Sequence, residues 1–76
     1  INYSNNLIEK IESNYFPNFI HLTIIDLSFN KIRQIDQFSF LNLERKLRKL
    51  LLNNNKLEYI KSSYFSYLTN LNELLL

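Results

Sequence analysis

The sequence contains no cysteine and no glycine, and it has one proline and one histidine. Without cysteine, neither a disulfide nor a thiolate metal site can form, and His21 alone cannot build a histidine metal cluster. The missing glycines also exclude the Gly-rich loops that cradle phosphate groups. We therefore expect the 76 residues to be stabilised by packing alone, with no cofactor and no metal.

A long apolar run and a strong net charge are also missing. No segment approaches the roughly 18 apolar residues that a transmembrane helix needs, so we expect contact with a membrane only through a segment outside this chain. The net charge of +2 does not indicate a nucleic-acid partner. The first residues lack a charged leader followed by an apolar segment, so we expect no signal peptide within the chain.

One pattern of apolar residues and asparagines recurs along the chain, and asparagine replaces glycine as the turn former. The recurring asparagines are Asn6, Asn30 and Asn55, with one extra residue in the second interval, between Leu43 and Leu47. Two units share one internal spacing of apolar residues: Leu22, Ile25, Leu27, Ile32, Ile35, Phe40 and Leu43, then Leu47, Leu50, Leu52, Leu57, Ile60, Phe65 and Leu68. The same spacing fits Ile1, Tyr3, Ile8, Ile11, Phe16 and Phe19 before them, and Leu71, Leu74 and Leu76 after them.

This pattern, LxxLxLxxNxLxxI followed by a phenylalanine and a leucine, resembles the leucine-rich repeat family in its 24-residue typical subclass. Members of that subclass include Toll-type receptor ectodomains and secreted insect immune proteins. The resemblance covers the whole chain and implies an α/β leucine-rich repeat solenoid, with a curved parallel sheet on its concave side and loops and short 3₁₀ turns on its convex side. The predicted units are a partial first one at 1–21, two complete ones at 22–46 and 47–70, and the start of a fourth at 71–76. We expect them to be an interior fragment of a longer solenoid, without caps, and unstable or aggregated alone in solution.

The short LxL segments alternate with period two, which predicts strands with one buried face. We expect these strands to pair in parallel, one from each unit. The side chains predicted to point inward are Ile25, Leu27, Leu50, Leu52, Leu74 and Leu76. The residues between them, Asp26, Leu51 and Leu75, are predicted to point outward.

The resemblance also assigns structural roles to two columns of side chains. Asn6, Asn30 and Asn55 are expected to form an asparagine ladder that hydrogen-bonds the loops of neighbouring units. Each buried polar group left unsatisfied by the loss of such a side chain costs about 1–3 kcal/mol. The second column, Phe16, Phe40 and Phe65, is expected to form a buried aromatic spine. Ser13 and Ser62 are predicted to cap the short turns that precede Phe16 and Phe65.

Nothing in the sequence indicates catalysis, which needs titratable groups converging in a pocket. His21 falls in a predicted connecting loop, with no Ser, Cys or pair of carboxylates at a suitable spacing. We interpret His21 as structural and predict that the chain is not an enzyme.

The concave face is where the family usually binds its ligands. The candidate ligand-binding residues there are Asp26, Ser28, Phe29, Arg48, Lys49, Leu51, Asn53, Asn54 and Glu73. Two alternatives stay open at this stage. The basic run 45–49 is either a contact for a partner or a solvated rim, and Phe29 is either an exposed anchor or a side chain tucked beside the ladder.

The resemblance implies a non-catalytic recognition module that binds a protein or another ligand, as part of an extracellular receptor, adhesion protein or immune protein. Asn2-Tyr3-Ser4 is a glycosylation sequon, which makes Asn2 a candidate glycosylation site and favours an extracellular or cell-surface location. The alternatives are an intracellular, cytoplasmic scaffold or assembly subunit, and a regulatory repeat region of a larger enzyme. A protein partner is expected, a homodimer or heterodimer is left open, and no nucleic acid is expected.

Overall fold

The computed structural model describes residues 1–13, 15, 16 and 22–76. The predictions made for Phe19 and His21 lie outside the described residues. The cap predicted at Ser62 also lies outside them, because only the backbone of that residue is described.

Short strands and single 3₁₀ turns make up the regular structure. The strands are β1 (Lys10–Ile11), β2 (Ile24–Asp26), β3 (Gln34–Ile35), β4 (Lys49–Leu51) and β5 (Glu73–Leu75), and the 3₁₀ helices are η1 (Leu41–Leu43) and η2 (Ser62–Tyr64). The described part of the chain contains no α-helix. Each repeat unit is too short to hold an α-helix in addition to a strand and two turns.

The main sheet consists of β2, β4 and β5 in that order, and all its strands are parallel, which confirms the predicted parallel pairing. Asp26 lies beside Leu51, which lies beside Leu75. On the other edge, Asn2 forms an isolated parallel bridge to Asp26, so the segment around Asn2 extends the same array. Each strand thus occupies the place that the repeat period gives it.

A second, small sheet pairs β1 with β3 in parallel, and the sequence analysis did not predict it. Its apolar members, Ile11 and Ile35, lie opposite each other and are both buried. The third unit does not extend this sheet. There Tyr59, two dozen residues after β3, has a left-handed φ of 55°, which is incompatible with an extended strand.

The core lies between the two sheets and the 3₁₀ turns. It consists of Ile11, Phe16, Leu22, Ile25, Leu27, Ile32, Ile35, Phe40, Leu43, Leu47, Leu50, Leu52, Phe65 and Leu68. Within it, the rings of Phe16 and Phe40 stack with centroids 5.6 Å apart, and those of Phe40 and Phe65 are 6.2 Å apart. Three units therefore share one continuous aromatic column, which extends to Tyr3 at 6.2 Å from Phe16.

One expectation about an individual side chain was wrong. Leu76 was predicted to point into the core but is 63% exposed, and Leu74 is only partly buried, because no described strand lies beyond β5. The hydroxyl of Ser13, which was predicted to cap a turn, donates to the Asp36 carboxylate at 2.6 Å. A capping serine accepts through its oxygen, so this donated bond joins two neighbouring units and leaves the cap a prediction.

Candidate binding surface

The main sheet presents one face away from the core, which we call the outer face. Its side chains form two rows across the strands: Ile24, Lys49 and Glu73 in one row, and Asp26, Leu51 and Leu75 in the other. Alternation along each strand places these residues on the outer face, while Ile25 and Leu50 point into the core. The strands thus bring together four of the predicted contact residues, Asp26, Lys49, Leu51 and Glu73.

The outer face mixes apolar and charged groups. Ile24 and Leu75 are more than two fifths exposed, and Leu51 between the strands is partly exposed. Beside them, the Lys49 ammonium lies 3.6 Å from the Glu73 carboxylate, and both side chains are about half exposed. A solvated pair of this kind adds little stability, so its charges remain available to a partner.

Ser28 differs from the exposed position predicted for it. Its side chain is only 6% exposed, and its hydroxyl and amide both donate to Asp26 Oδ1, at 2.6 and 3.0 Å. Ser28 therefore orients Asp26 rather than offering a contact of its own. The first unit repeats this turn, where Asn2 Oδ1 accepts from the hydroxyl and amide of Ser4. The spacing Asx-x-Ser is the sequence signal for the motif.

A row of left-handed residues borders the outer face. Asn5, Phe29 and Asn54 occupy equivalent places directly before the recurring asparagines, with φ values of 57°, 55° and 60°. Asparagine tolerates this conformation, whereas phenylalanine does not adopt it readily. Phe29 is 52% exposed, so of the two alternatives for this residue the geometry favours the exposed side chain. Asn53 is partly exposed and Arg48 is exposed.

Asn30 connects the first two units through its side chain. Its Nδ2 donates to the carbonyl of Tyr3 at 2.9 Å and to that of Leu27 at 3.0 Å. Its Oδ1 accepts from the Ile8 amide at 3.2 Å. Asn30 is buried, so this one amide satisfies backbone groups of two loops that water does not reach.

Asn55 repeats these bonds one unit later. Its Nδ2 donates to the carbonyls of Leu27 and Leu52, each at 2.9 Å, and its Oδ1 accepts from the Ile32 amide at 3.0 Å. In the described part of the chain, Asn6 bonds only within its own loop, to the carbonyls of Tyr3 and Ser4. Among the described residues, every buried side-chain nitrogen and oxygen has a partner.

A groove of about 380 Å³ opens on the small sheet, beside the left-handed Tyr59. It is lined by Arg33, Gln34, Ile35, Glu58, Tyr59 and Tyr64. Tyr59 is 91% exposed, and none of the predicted contact residues lies here. The lining of this groove includes one cationic side chain, one carboxylate and two tyrosine rings.

Of the titratable groups in the described residues, two have displaced pKa values, and both join neighbouring units. The pKa of Asp36 is lowered, first by the hydrogen bond from Ser13 and then by that from the Phe38 amide. Burial raises the pKa of Tyr67, whose hydroxyl donates to the Gln37 carbonyl at 3.0 Å. The same oxygen accepts from the Phe40 amide at 3.2 Å. The hydrogen bonds thus lower the pKa of Asp36, whereas burial raises the pKa of Tyr67 against the opposing effect of the bond from Phe40.

The described ranges contain no group of three histidine, cysteine or acidic side chains that could hold a metal ion. Nor do they include a helix whose length and apolar character would let it cross a membrane. Comparisons of the chain with models of protein families, with curated proteins and with solved structures found no match. The function therefore has to be argued from the residues and their geometry.

Proposed function

We propose that the chain is part of a leucine-rich repeat solenoid that recognises a protein partner on the outer face of the main sheet, which would be the concave face of the solenoid, and that it performs no catalysis. The observation that carries the proposal is the composition of this face. Half-exposed apolar side chains lie there in register with a solvated ion pair, on strands held rigid by a packed core.

The equivalence of successive units supports the repeat assignment. Asn30 and Asn55 bond the same backbone positions in their own units and in the units before them. A solenoid is a stack of units in which each contacts its neighbours through one recurring interface. The shared aromatic column supplies the apolar half of that interface.

The side chains on the outer face suit a protein surface better than a small molecule. Protein interfaces have an apolar centre with a polar rim, and small ligands need an enclosed pocket. Leu51 and Leu75 would form that centre, with Asp26 and the Lys49–Glu73 pair at its rim. Phe29, exposed at the border, would add an aromatic anchor of the kind found at energetic hot spots.

We further propose an extracellular or cell-surface location, with a receptor, adhesion or immune role. The sequon at Asn2 supports this location. The residue is exposed, and its Oδ1 is engaged by Ser4, while its Nδ2 makes no hydrogen bond to the described part of the chain. A glycan attached to Nδ2 would extend from the edge of the outer face beside Asp26.

The proposal can be tested with a random peptide library displayed on phage. Peptides selected against the immobilised chain would be compared for binding to the wild type, to Leu75→Glu and to Phe38→Glu. Leu75 lies on the outer face, and Phe38 is equally exposed in a turn outside the main sheet. We expect Leu75→Glu to weaken most selected peptides about tenfold or more and Phe38→Glu to leave them unchanged. Peptides that respond only to Phe38→Glu would contradict the proposal.

A further inference from the structure

The basic run 45–49 holds four of the nine lysines and arginines of the chain. It follows η1 at the one-residue insertion and continues into β4. Arg45, Arg48 and Lys49 are exposed, and Lys46 is partly exposed. Residues of the preceding and the following unit bond to the run from both sides, so its surroundings are those of an interior turn.

Both neighbouring units fix the backbone of this run. The Arg48 amide donates to the Thr23 carbonyl at 2.8 Å, and the Arg48 carbonyl accepts from the Asn72 amide at 2.7 Å. Nearby, Asn70 Nδ2 donates to the Arg45 carbonyl at 2.6 Å. The cationic side chains therefore extend from a backbone that is already ordered, which lowers the entropy that a ligand has to offset on binding.

The entry of β4 places two successive basic side chains on the surface. The amides of Arg48 and Lys49 both donate to the Thr23 carbonyl, at 2.8 and 3.0 Å, so two residues face one acceptor, as in a β-bulge. Leu47 before them and Leu50 after them are fully buried, whereas Arg48 and Lys49 are both exposed. The strand alternation is thus interrupted where the cations lie.

The two guanidinium groups of the run have no charge partner. The side chains of Arg45 and Arg48 make neither an ion pair nor a hydrogen bond within the described residues. Lys49 differs from them, because its ammonium lies 3.6 Å from the Glu73 carboxylate. Glu44, directly before the run, is exposed and forms no ion pair with the part of the chain that the structure describes. Two positive charges are therefore left without compensation on this turn.

The surroundings of these arginines suit a sulfated sugar chain better than a nucleic acid. Thr23, Asn70 and Asn72, which bond to Arg45 and Arg48 from the neighbouring units, are polar and uncharged. None of them offers an aromatic ring on which a base could stack. A guanidinium group binds an oxyanion through two parallel N–H···O bonds, and several such contacts along a flexible polyanion reinforce one another.

We propose that the basic run 45–49 is a binding site for a sulfated polysaccharide, in which Arg45 and Arg48 each hold a sulfate group. The lysines of the run raise the local positive potential and attract the polyanion. The choice of a sulfated polysaccharide rests on the extracellular location proposed above. The site uses other side chains than the recognition of a protein partner through Leu51 and Leu75, so either proposal can fail alone.

Isothermal titration calorimetry with a heparin octasaccharide tests the site. We expect the double variant Arg45→Gln/Arg48→Gln to bind the octasaccharide about tenfold or more weakly than the wild type, because two charge-assisted contacts are lost. The matched control is Lys31→Gln/Lys56→Gln, which removes the same charge from two exposed lysines outside the run. It should change the affinity less than about twofold, because salt screens distant exposed charges. Circular dichroism confirms that each variant is folded.

A variant that gains affinity provides a test that does not depend on loss of function. Glu44→Gln removes the carboxylate next to Arg45 and should tighten octasaccharide binding about two- to threefold, since an adjacent like charge on the ligand is no longer repelled. Glu58→Gln is its control, because this exposed carboxylate lines the groove on the small sheet. It should leave the affinity unchanged. An equal gain in both variants would mean that net charge alone attracts the ligand, and would contradict the site.

The choice of ligand is tested with two further probes in the same calorimeter. A desulfated octasaccharide should not bind measurably, and a short DNA duplex should bind more weakly than the sulfated octasaccharide. Duplex binding that is equal or tighter would overturn the proposal in favour of a nucleic-acid partner. A wild-type chain that does not bind the sulfated octasaccharide would overturn it as well, as would equal losses in the two double variants.

Discussion

Phe29 is the residue whose backbone conflicts most clearly with its side chain. The equivalent positions are asparagines with the same left-handed φ, Asn5 and Asn54. We expect Phe29→Asn to raise the free energy of unfolding by about 0.5–1 kcal/mol, since a left-handed conformation costs an ordinary residue about 1–2 kcal/mol and part of this gain is offset by lost packing. Urea denaturation measures the change. The converse variant, Asn54→Phe, should lower the free energy of unfolding. If Phe29→Asn lowered it as well, the backbone at Phe29 would not be strained.

We connect the strained backbone at Phe29 with the proposed binding at the outer face, because this side chain is 52% exposed. A residue held in an unfavourable conformation and exposed to solvent is a candidate for function. The sequence predicts two alternatives for this side chain but no backbone angle. Periodicity fixes which positions recur, whereas the turn conformation at each position depends on tertiary contacts on both sides.

Asn30 illustrates how one side chain satisfies several backbone groups. Asn30→Ala would leave the Ile8 amide without its described partner. The Tyr3 and Leu27 carbonyls would each lose one of two donors and keep the bonds from Asn6 and Asn55. We expect a loss of about 1–3 kcal/mol in the free energy of unfolding, which is the cost of one unsatisfied buried group. Asn6→Ala is the control at the same repeat position. Within the described residues, the exposed Asn6 bonds only its own loop, so this variant should lose less than about 1 kcal/mol.

At the scale of the elements, the aromatic column joins turns that contain little regular structure. Phe40 is fully buried between Phe16 and Phe65. We expect Phe40→Ala to cost about 3–5 kcal/mol, from lost burial and the cavity that remains. Phe38, two residues earlier, is about half exposed, and Phe38→Ala should cost under about 1 kcal/mol. Thermal or urea unfolding measures both variants. Equal losses of unfolding free energy in Phe40→Ala and Phe38→Ala would contradict a buried aromatic column.

The Ser13–Asp36 bond joins two neighbouring turns, and its effect depends on pH. The folded chain holds the pKa of Asp36 below its ordinary value of 3.8. This contribution to stability is therefore present above pH 3.8 and is lost as the pH falls through the folded-state pKa. Ser13→Ala should move the Asp36 pKa back towards its ordinary value, as read by carboxyl NMR titration.

The control for this titration is Ser66→Ala, which removes a hydroxyl that donates to the Ser63 carbonyl far along the chain. It should leave the Asp36 pKa unchanged. Stability curves of the wild type and Ser13→Ala should converge in acid, where Asp36 is protonated in both. A gap between the two curves that persists below the folded-state pKa would mean that Ser13 acts through packing rather than through this charge.

The elements differ in how far the sequence predicts them. The LxL alternation predicts β2, β4 and β5, because inward and outward positions differ sharply in hydrophobicity. The small sheet has only two residues per strand, and Ile11 and Ile35 carry the same apolar signal whether they pair or merely pack. The failure of the third unit to join it depends on the left-handed Tyr59, a conformation that no local residue pattern indicates.

For the outer face, the sequence predicts which residues lie there better than it predicts what each side chain does. Alternation places Asp26, Leu51 and Glu73 on one surface correctly. It also predicts an exposed Ser28, which is instead buried against Asp26. A polar residue at a position predicted to face outward can instead hydrogen-bond a neighbouring residue. Whether it does so depends on local hydrogen-bond geometry rather than on the hydrophobic pattern.

At the scale of the whole molecule, stability should vary along the stack of units. Three equivalent amide hydrogen bonds report on this: Tyr3 to Asp26 at 2.7 Å, Leu27 to Leu51 at 2.8 Å, and Leu52 to Leu75 at 2.8 Å. The Leu27 amide has a neighbouring unit on both sides and is fully buried, whereas Tyr3 is partly exposed at an edge. A stack of repeats opens most easily from its ends. The amides of these three bonds, which are nearly equal in length, should therefore differ in their protection against hydrogen exchange.

Hydrogen exchange measured by NMR tests this gradient. We expect the Leu27 amide to exchange about tenfold or more slowly than the Tyr3 amide, since local opening at an edge breaks contacts with one neighbour only. Equal protection of the two amides would mean that the units open together as one cooperative block.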